Sequence, residues 1–367
     1  MIVGVFCPAM NLCGGAEWIA LQVTKVLKEY GHNVILLSDN IIDQKKILKV
    51  FGRTLEADQV LVFPLRLFSQ SSNYHNIYTD ALKVLVLKSK CRVLVDASSN
   101  AILPGMDVAY IHYPLLKSIK HGLPYWRNKF YFLPYQSFLV SHKNKITDKL
   151  IFANSKFTAQ AVEEEFGVKP CLLYPPFSTN VSNKSQNWEK YRGNNVATVA
   201  RISGEKNLEI IPYIAKLTSN DILFTIAGLS SSQAVLTSLL NKIKKLNVAD
   251  KVKILTNVTK EEVRRILLTS RVFLHTKEAE HFGIAIVEAM SLGCIPVVHD
   301  SGGPREFVPE IFRFKSIEDA ALKVEKAIAY WSPIQAKKMS QRTEKFNEIN
   351  FSKRFIELFN LHFSDEI

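Results

Sequence analysis

Cysteine is scarce in this sequence and is not arranged as a disulfide framework or a zinc site requires. Five cysteines are scattered over 367 residues, and none of them forms a Cys-x-x-Cys pair. Because the number is odd and the spacing irregular, the sequence argues against a disulfide-stapled secreted domain and against a structural zinc site. We therefore expect free, buried thiols in a reducing cytoplasm.

Long hydrophobic runs and a signal peptide are also missing. No apolar run approaches the ~20 residues of a membrane-spanning helix. The sequence begins directly with a predicted strand at residues 2–6, which leaves no room for a signal peptide. These absences favour a protein without a membrane anchor, located in the cytoplasm.

Acidic residues are few relative to basic ones, with 34 Asp and Glu against 47 Lys and Arg and a formal net charge of +13. This excess implies an anionic partner, which is a nucleic acid, a membrane surface or a phosphorylated ligand. Residues 112–149 contain seven basic residues, one acid and eight aromatics. This mixture is typical of a membrane-docking surface, and it is also able to stack single-stranded nucleic acid. Half of the aromatics are explained equally well as core residues.

The dinucleotide fingerprint Gly-x-Gly-x-x-Gly is absent from the first strand-to-helix loop, so nicotinamide binding loses its main support. In its place, Gly14-Gly15-Ala16-Glu17 ends the loop and opens the first helix. Two glycines let the backbone approach a bulky or charged group closely. Gly14 and Gly15 are therefore candidates for substrate binding, although a plain tight turn explains the pair as well.

Short apolar strands alternate with amphipathic helices along the whole chain. A hydrophobic content of 47% over 367 residues suffices for two cores. We predict an α/β protein with two doubly wound, Rossmann-like domains, residues 1–180 and 181–349, followed by a helix over 350–367. A polar linker is expected at 178–195, and a ligand cleft between the domains at the carboxyl ends of the strands.

Residues 278–306 contain the most informative motif. Glu280 and Glu288 stand eight positions apart around an aromatic-glycine turn, and a helix, a buried strand and a Gly-Gly turn follow. The turn, Phe282-Gly283, opens a helix at Ile284, where backbone N–H groups and the helix dipole favour anions. Carboxylates accept hydrogen bonds from hydroxyls, so the combination suits a sugar nucleotide. Two glutamates on a solvated helix face are the competing interpretation.

Two cations lie in the predicted strand-to-helix loop of the second domain. Arg201 and Lys206 flank Gly204 in this loop. A guanidinium bridges phosphate oxygens in bidentate fashion, and an ammonium neutralises a second phosphate. We predict that both cations bind a diphosphate, in preference to the alternative of two unrelated surface cations.

One histidine ends a predicted buried strand of the first domain. His112 follows the apolar residues 108–111 and precedes Tyr113-Pro114. A neutral imidazole at this position can bind or polarise a sugar hydroxyl. A core histidine with satisfied hydrogen bonds is the alternative interpretation.

Taken together, these motifs resemble retaining GT-B glycosyltransferases of the family that carries a Glu-x7-Glu motif, here Glu280 and Glu288. The resemblance runs nearly end to end and includes a final helix near residues 351–363, which is expected to return to the N-terminal domain. Four segments are similar to α-1,2-mannosyltransferases that extend lipid-linked oligosaccharides from GDP-mannose: 110–114, 173–176, 280–284 and 301–304. Two features differ from that subgroup. One is Ala285, and the other is that the membrane anchor of the eukaryotic members is absent. The missing anchor suggests a prokaryotic, peripheral enzyme.

The resemblance implies that the C-terminal domain holds the nucleotide sugar. Arg201 and Lys206 would neutralise the diphosphate leaving group, and Glu288 would accept hydrogen bonds from the ribose. Glu280 and the N–H groups of Gly283 and Ile284 would hold sugar hydroxyls.

From the N-terminal domain, His112 and Gly15 would contact the sugar. Transfer would retain the anomeric configuration by same-face attack and would need neither metal nor cofactor. The implied partners are a nucleotide sugar, a lipid-diphosphate-linked glycan and an anionic membrane on the inner face of the cell, and not a nucleic acid.

Three other functions remain open from the residues alone. A glycoside hydrolase or phosphorylase would use paired carboxylates roughly 5–9.5 Å apart, whereas two helical turns separate Glu280 and Glu288 by roughly 12 Å. A sugar-nucleotide epimerase would turn over without an acceptor. A basic nucleic-acid- or membrane-binding module is the non-enzymatic alternative, although the strongest motif combines acids with glycines and not with basic residues.

Overall fold

The computed structural model describes residues 1–67, 76–119, 125–177, 192–230 and 232–364. The chain divides into two compact units, one formed by Met1–Pro176 with Glu348–Ile367 and the other by Phe177–Asn347. The predicted boundary at 180/181 and most of the predicted linker lie outside the described residues. The second boundary precedes Glu348, two residues before the predicted start of the C-terminal segment.

The N-terminal unit is built on a seven-stranded sheet of parallel strands in the order β3-β2-β1-β4-β5-β6-β7. The central strands are fully buried and, apart from the aspartate that ends β4, not charged, as a sheet covered by helices on both faces requires. The order reverses between β1 and β4, and such a switch point is where α/β sheets bind ligands. The strands are β1 (Ile2–Phe6), β2 (Asn33–Ser38), β3 (Gln59–Val62), β4 (Val93–Asp96), β5 (Val108–Ile111), β6 (Leu150–Ala153) and β7 (Cys171–Leu172).

Eight helices flank this sheet in the described part of the chain. One of them is capped at both ends by residues that the sequence makes recognisable: Ser155 Oγ accepts a hydrogen bond of 3.0 Å from Thr158 N, and Gly167 ends the helix with a φ of 69°. The helices are α1 (Gly15–Glu29), α2 (Gln44–Phe51), α3 (Ile77–Lys88), α4 (Leu115–Ile119), α5 (Tyr125–Ser141), α6 (Lys143–Thr147), α7 (Lys156–Phe166) and, from the end of the chain, α14 (Glu348–His362).

The C-terminal unit is built on six parallel strands in the order β10-β9-β8-β11-β12-β13. The strands are β8 (Gly193–Val199), β9 (Leu223–Gly228), β10 (Val252–Thr256), β11 (Ser270–His275), β12 (Ile295–His299) and β13 (Arg313–Phe314). The helices are α8 (Ile211–Leu217), α9 (Gln233–Lys245), α10 (Lys260–Thr269), α11 (Ile284–Ser291), α12 (Ile317–Tyr330) and α13 (Pro333–Gln341).

The last helix of the chain, α14, packs on the N-terminal unit. Phe351, Phe355 and Phe359 stack in series, with ring centroids 6.2 and 5.7 Å apart. At the start of the helix, the Glu348 carboxylate accepts two hydrogen bonds of 2.8 Å from the Arg53 guanidinium. This bidentate ion pair and the aromatic contacts make the end of the chain part of the first unit.

The prediction of two doubly wound, Rossmann-like domains is confirmed. All five cysteines are free, as expected, but Cys91 and Cys171 are half-buried and not buried. Among the described residues, no helix has both the length and the apolar character needed to cross a bilayer.

Candidate active site

The predicted donor-site residues follow the carboxyl ends of two neighbouring strands in the C-terminal unit. β8 lies beside β11 in the sheet. The loop after β8 leads to Lys206, and the loop after β11 contains Glu280 and ends at Gly283. Because parallel neighbours end at the same edge of a sheet, the two loops meet there although 74 residues separate Lys206 from Glu280 in the sequence.

Glu280 is at the centre of a network of cations and N–H donors. Its Oε2 lies 3.0 Å from Lys206 Nζ and 3.0 Å from His275 Nε2. Its Oε1 accepts a hydrogen bond of 3.1 Å from His281 N and lies 3.6 Å from Lys277 Nζ. The residue is 8% exposed, so the network replaces nearly all of the hydration of the carboxylate.

These partners determine the charge of Glu280. Burial by itself would raise the pKa of this carboxyl, but the hydrogen bond from His275 and the positive charges of Lys206 and Lys277 outweigh burial and hold the pKa well below its usual range. Glu280 is therefore an ionised hydrogen-bond acceptor at neutral pH.

The Gly-Gly turn after β12 supports the backbone of the Glu280 loop. Gly303 N donates a hydrogen bond of 2.8 Å to Glu280 O, and Ala279 N donates one of 2.7 Å to Ser301 Oγ. A Cβ on Gly302 would lie 2.2 Å from Glu280 O, and a Cβ on Gly303 would lie 2.1 Å from His281 O. Only glycine permits this approach, so the turn determines the position of the loop.

The aromatic-glycine turn opens α11. Gly283 has a φ of 90°, a left-handed conformation that favours glycine. The first intrahelical hydrogen bond runs from Ile286 N to Gly283 O, so the N–H groups of Ile284 and Ala285 precede it and face the start of the helix. Such a start favours an anion.

The sequence motif makes Phe282, in the aromatic-glycine turn, a candidate substrate-binding residue, and the structure places its ring in the core. The residue is 3% exposed, and its ring packs against Phe307 and Phe346, with centroids 5.3 and 5.2 Å away. The ring therefore belongs to the hydrophobic core, where it holds the Glu280 loop, and any contact with a substrate falls to the backbone.

Glu288, the second glutamate of the motif, lies in a different environment. It is half-buried on α11. Because it lies four residues after Ile284, it is on the same face of the helix as this first helical residue. Burial raises the pKa of its carboxyl, and the charge of Lys260 offsets part of this effect. Within the described residues, no group donates a hydrogen bond to this carboxylate.

The two predicted diphosphate ligands have different partners. Lys206 is largely buried and pairs with Glu280, and its carbonyl accepts a hydrogen bond of 2.7 Å from Thr276 Oγ1. Arg201 is exposed and pairs with Glu205 at 3.0 Å. The structure therefore fixes the position of Lys206, whereas Arg201 lies on the surface in a weak ion pair of a type that contributes little to stability.

In the N-terminal unit, the glycine pair begins α1. Gly14 N donates a hydrogen bond of 2.6 Å to the buried Glu17 carboxylate, and a Cβ on Gly14 would lie 2.9 Å from the same oxygen. Gly15 is the first residue of the helix. The side chain of Glu17 thus caps the turn, and it would have to shift if residue 14 had a Cβ.

His112 follows β5 and is half-buried. Its Nε2 lies 2.9 Å from Ala97 O. Burial lowers the pKa of His112 to about 4, although the hydrogen bond to Ala97 raises it. The imidazole is therefore neutral at physiological pH, as predicted for a group that binds a sugar hydroxyl.

Comparison with known proteins assigns the C-terminal unit to a family. Residues 181–346 match the protein family described as glycosyl transferases group 1. This chain carries a group 1 glycosyltransferase domain. The match covers the β-strands and loops that position Lys206, Glu280 and Glu288, and the predicted family is confirmed.

Two curated relatives and one solved structure illustrate the similarity. The glycosyltransferase is 24% identical to the GDP-Man:Man(3)GlcNAc(2)-PP-Dol alpha-1,2-mannosyltransferase of Dictyostelium discoideum, over 96% of this chain and 83% of the relative. It is 26% identical to the Candida albicans protein of the same name, over 83% of this chain and 61% of the relative. Anabaena HepE, solved in complex with UDP and glucose, superimposes with a TM-score of 0.71 at 16% identity, over 98% of this chain and 100% of that chain. This last similarity confirms the GT-B fold.

Sequence reasoning did not identify two partners of Glu280 in the glycosyltransferase domain. His275 is the last residue of β11, and Lys277 follows it in the loop. A signal was available, because a histidine at the end of a buried strand is the pattern that identified His112. What the sequence does not show is that the loop after β11 turns back to place Glu280 beside that histidine.

The basic aromatic segment 112–149 divides into core and surface. Phe132 and Tyr135 are buried, and Tyr131 and Phe138 pack against the same core, so the core interpretation is confirmed for half of the eight aromatics. Phe130 is 72% exposed. Lys120 lies outside the described residues, as do the side chains of 125–129.

Proposed function

We propose that the protein is a retaining hexosyltransferase that transfers mannose from GDP-mannose to a lipid-diphosphate-linked glycan. The observation that carries this proposal is the ionised, buried Glu280 held between Lys206 and His275 beside the start of α11. This arrangement combines cations and N–H donors for a diphosphate with a fixed acceptor for hydroxyls. The names of the relatives support the donor and the acceptor.

The diphosphate is the leaving group, and negative charge develops on it during transfer. Lys206 and the N–H groups at the start of α11 stabilise this charge, which is the type of contribution that preorganised electrostatics makes to catalysis. Arg201 exchanges its exposed partner Glu205 for the phosphate. Lys206 already lies in a fixed position, so little reorganisation accompanies binding.

The two glutamates bind hydroxyls at different positions along the donor. Glu280 accepts hydrogen bonds from the mannose, because its charge persists at neutral pH. Glu288 accepts hydrogen bonds from the ribose, which supplies the donors that its carboxylate otherwise lacks. His112 accepts a hydrogen bond from a sugar hydroxyl in its neutral form. We expect same-face attack, in which the departing phosphate takes the proton of the acceptor.

Donor identity is tested by thermal unfolding with GDP-mannose, UDP-glucose, ADP-glucose and NAD. A ligand of the native state raises the melting temperature by mass action, and we expect GDP-mannose to raise it most. Transfer to a lipid-diphosphate oligosaccharide with retained configuration then tests the reaction. Sugar release from a glycan without a donor would indicate a hydrolase instead, and turnover of the donor without an acceptor would indicate an epimerase.

We further propose that the enzyme acts as a peripheral protein on the anionic inner face of the cell membrane. Phe130, Leu133 and Val140 of α5 are 72%, 49% and 80% exposed. Their spacing of three and seven residues places them on one helix face. Exposed Lys143 and Lys145 follow in α6. An apolar stripe beside cations suits a surface of anionic lipids.

Flotation with vesicles that contain anionic phospholipid tests this docking surface. The charge reversal Lys143→Glu with Lys145→Glu should abolish binding at physiological salt. The matched control is Lys244→Glu with Lys245→Glu on α9, which changes the net charge equally at another exposed helix. Equal loss in both variants would show a dependence on net charge alone, and salt-sensitive binding to RNA in place of vesicles would contradict the proposal.

A further inference from the structure

The loop after β4 is organised by a buried carboxylate. Asp96 Oδ1 accepts hydrogen bonds of 3.0 and 2.9 Å from Ser98 N and Ser99 N. The other oxygen, Oδ2, accepts a hydrogen bond from Ser99 Oγ. At the start of the loop, Ala97 N donates a hydrogen bond of 3.2 Å to Phe6 O on β1. Asp96 thereby determines the path of residues 97–99 at the switch point of the N-terminal sheet.

This loop holds His112 at the ring and at the backbone. Ala97 O lies 2.9 Å from His112 Nε2. Asn100 Oδ1 accepts hydrogen bonds of 2.7 Å from His112 N and 3.2 Å from Tyr113 N. Asn100 itself has a φ of 60°, a left-handed conformation that asparagine and glycine tolerate. The position of the imidazole therefore depends on Asp96 through the loop and on Asn100 directly.

The contact with Ala97 determines the tautomer of His112. A carbonyl oxygen only accepts hydrogen bonds, so Nε2 must have the hydrogen and Nδ1 of the neutral ring must have the free lone pair. In the part of the chain that the structure describes, no donor reaches Nδ1, and this atom is not among the buried atoms without a partner. Because most buried polar atoms have a partner within the protein, Nδ1 is the ring atom that stays available to a ligand or to water.

We propose that Asp96 and Asn100 are positioning residues that hold His112 in the Nε2–H tautomer, so that Nδ1 accepts a hydrogen bond from a substrate hydroxyl. The reaction in which this hydroxyl takes part rests on the proposed function, whereas the tautomer does not. The burial that lowers the pKa of His112 to about 4 is consistent with an acceptor that stays neutral throughout the physiological range.

The tautomer is measured by ¹⁵N NMR of the full-length protein labelled at histidine, with His112→Gln used to assign the signals. From pH 5.5 to 8 we expect a protonated Nε2 and an unprotonated Nδ1. Asn100→Gly removes the side chain but permits the left-handed backbone. It should yield a mixture of tautomers, a His112 pKa closer to the ordinary value near 6.5, and a kcat about tenfold lower.

Asp96→Ala should have the same effects, and Asp96→Asn should restore the tautomer and most of kcat, because an amide oxygen still accepts from the two backbone N–H groups. The control is Asp107→Ala, since Asp107 Oδ2 accepts a hydrogen bond of 2.7 Å from Leu94 N at the other end of the same sheet. This variant should lose stability but keep the tautomer. If Asp96→Ala does not fold, Asn100→Gly tests the proposal alone.

Three results would overturn the proposal. The first is an Nδ1–H tautomer in the wild-type protein, and the second is an unchanged tautomer and kcat in Asn100→Gly. The third is wild-type transfer by His112→Gln, which would remove the contact with the substrate. Failure of the proposed function would give a different result. In that case no nucleotide sugar would stabilise the protein, but the NMR spectra would still show the Nε2–H tautomer of His112.

Discussion

The two glutamates of one sequence motif differ in almost every physical respect. Glu280 is buried among cations that hold its pKa far below the usual range, whereas Glu288 is half-buried and burial raises its pKa. Glu280 has its partners within the protein, and Glu288 receives no hydrogen bond within the described residues. A shared motif thus contains one acceptor that the protein already binds and one acceptor without a donor among the described residues.

The largest effect should come from removing the charge of Glu280. Glu280→Gln preserves the shape of the side chain but removes the negative charge between Lys206 and His275. We expect kcat to fall by about a hundredfold to a thousandfold, a loss typical of a preorganised electrostatic group. The exposed Glu278 of the same loop supplies the control, and Glu278→Gln should transfer at the wild-type rate. Equal rates in the two variants would contradict a special role for Glu280.

Removal of Lys206 should make Glu280 more similar to Glu288. In Lys206→Ala the Glu280 carboxylate stays buried but loses one of its positive partners, so its pKa should rise. We expect kcat/KM to fall by about a hundredfold because the diphosphate also loses its ammonium. The control is Lys216→Ala, which removes an exposed lysine from α8. Calorimetry measures the affinity of each variant for the donor. Unchanged affinity in Lys206→Ala would refute contact with the diphosphate.

Glu288→Gln should affect binding more than chemistry. We expect KM for the donor to rise about tenfold with a smaller change in kcat, since a carboxylate bonded to ribose contributes to the ground state and the transition state alike. A greater loss of kcat than in Glu280→Gln would reverse the roles assigned to the two residues. Steady-state kinetics with varied donor concentration distinguishes these outcomes.

The pH dependence of stability should have opposite signs at the two positions. At Glu280 the folded-state pKa is lowered, so this group stabilises the protein at pH values above its unfolded-state pKa near 4.3. This stability is lost as the pH falls from the unfolded-state pKa through the folded-state pKa. A raised acid pKa, as at Glu288, makes the folded state bind the proton more readily, so stability increases as pH falls through the folded pKa toward the unfolded value. Glu288→Gln should therefore stabilise the protein at pH 7 and lose this advantage near pH 4. Urea unfolding between pH 4 and 7 tests this difference, and parallel curves for wild type and Glu288→Gln would contradict it.

The smallest effect is expected from a chelator. In the proposed function, Lys206 and the start of α11 supply the positive charge for the diphosphate, so dialysis against EDTA should leave the transfer rate and the difference between the two glutamates unchanged. Recovery of a lost rate by one specific divalent cation would show that a metal shares this task.

The sequence predicted the elements that local pattern determines. β1 and β2 begin and end where the apolar runs do, and α7 begins after Ser155 and ends before Gly167 because both caps are local features. β7 and β13 were not predicted as strands, because two residues are too few to show a pattern and only a neighbouring strand defines them.

The candidate site was predictable at positions where the residue type itself indicates a single chemical role. Glu280, Lys206 and His112 were predicted as site residues, and the structure places all three after the carboxyl ends of strands. The contact of Lys206 with Glu280 depends on the pairing of β8 with β11, which are not consecutive in the chain. The orientation of the Phe282 ring was not predictable, because an aromatic residue in a loop has the same appearance in a sequence whether its ring faces a ligand or the core.

The close packing of Gly302 and Gly303 against the backbone of residues 280 and 281 has a consequence for protein engineering. The loop that contains Glu280 and the Gly-Gly turn that supports it form one rigid unit, although they belong to different connections between strands of the sheet. A graft that transplants 276–283 into another scaffold will reproduce its geometry only if 301–303 is transplanted with it. Directed evolution of sugar preference should accordingly diversify the rim of the site and leave both glycines untouched.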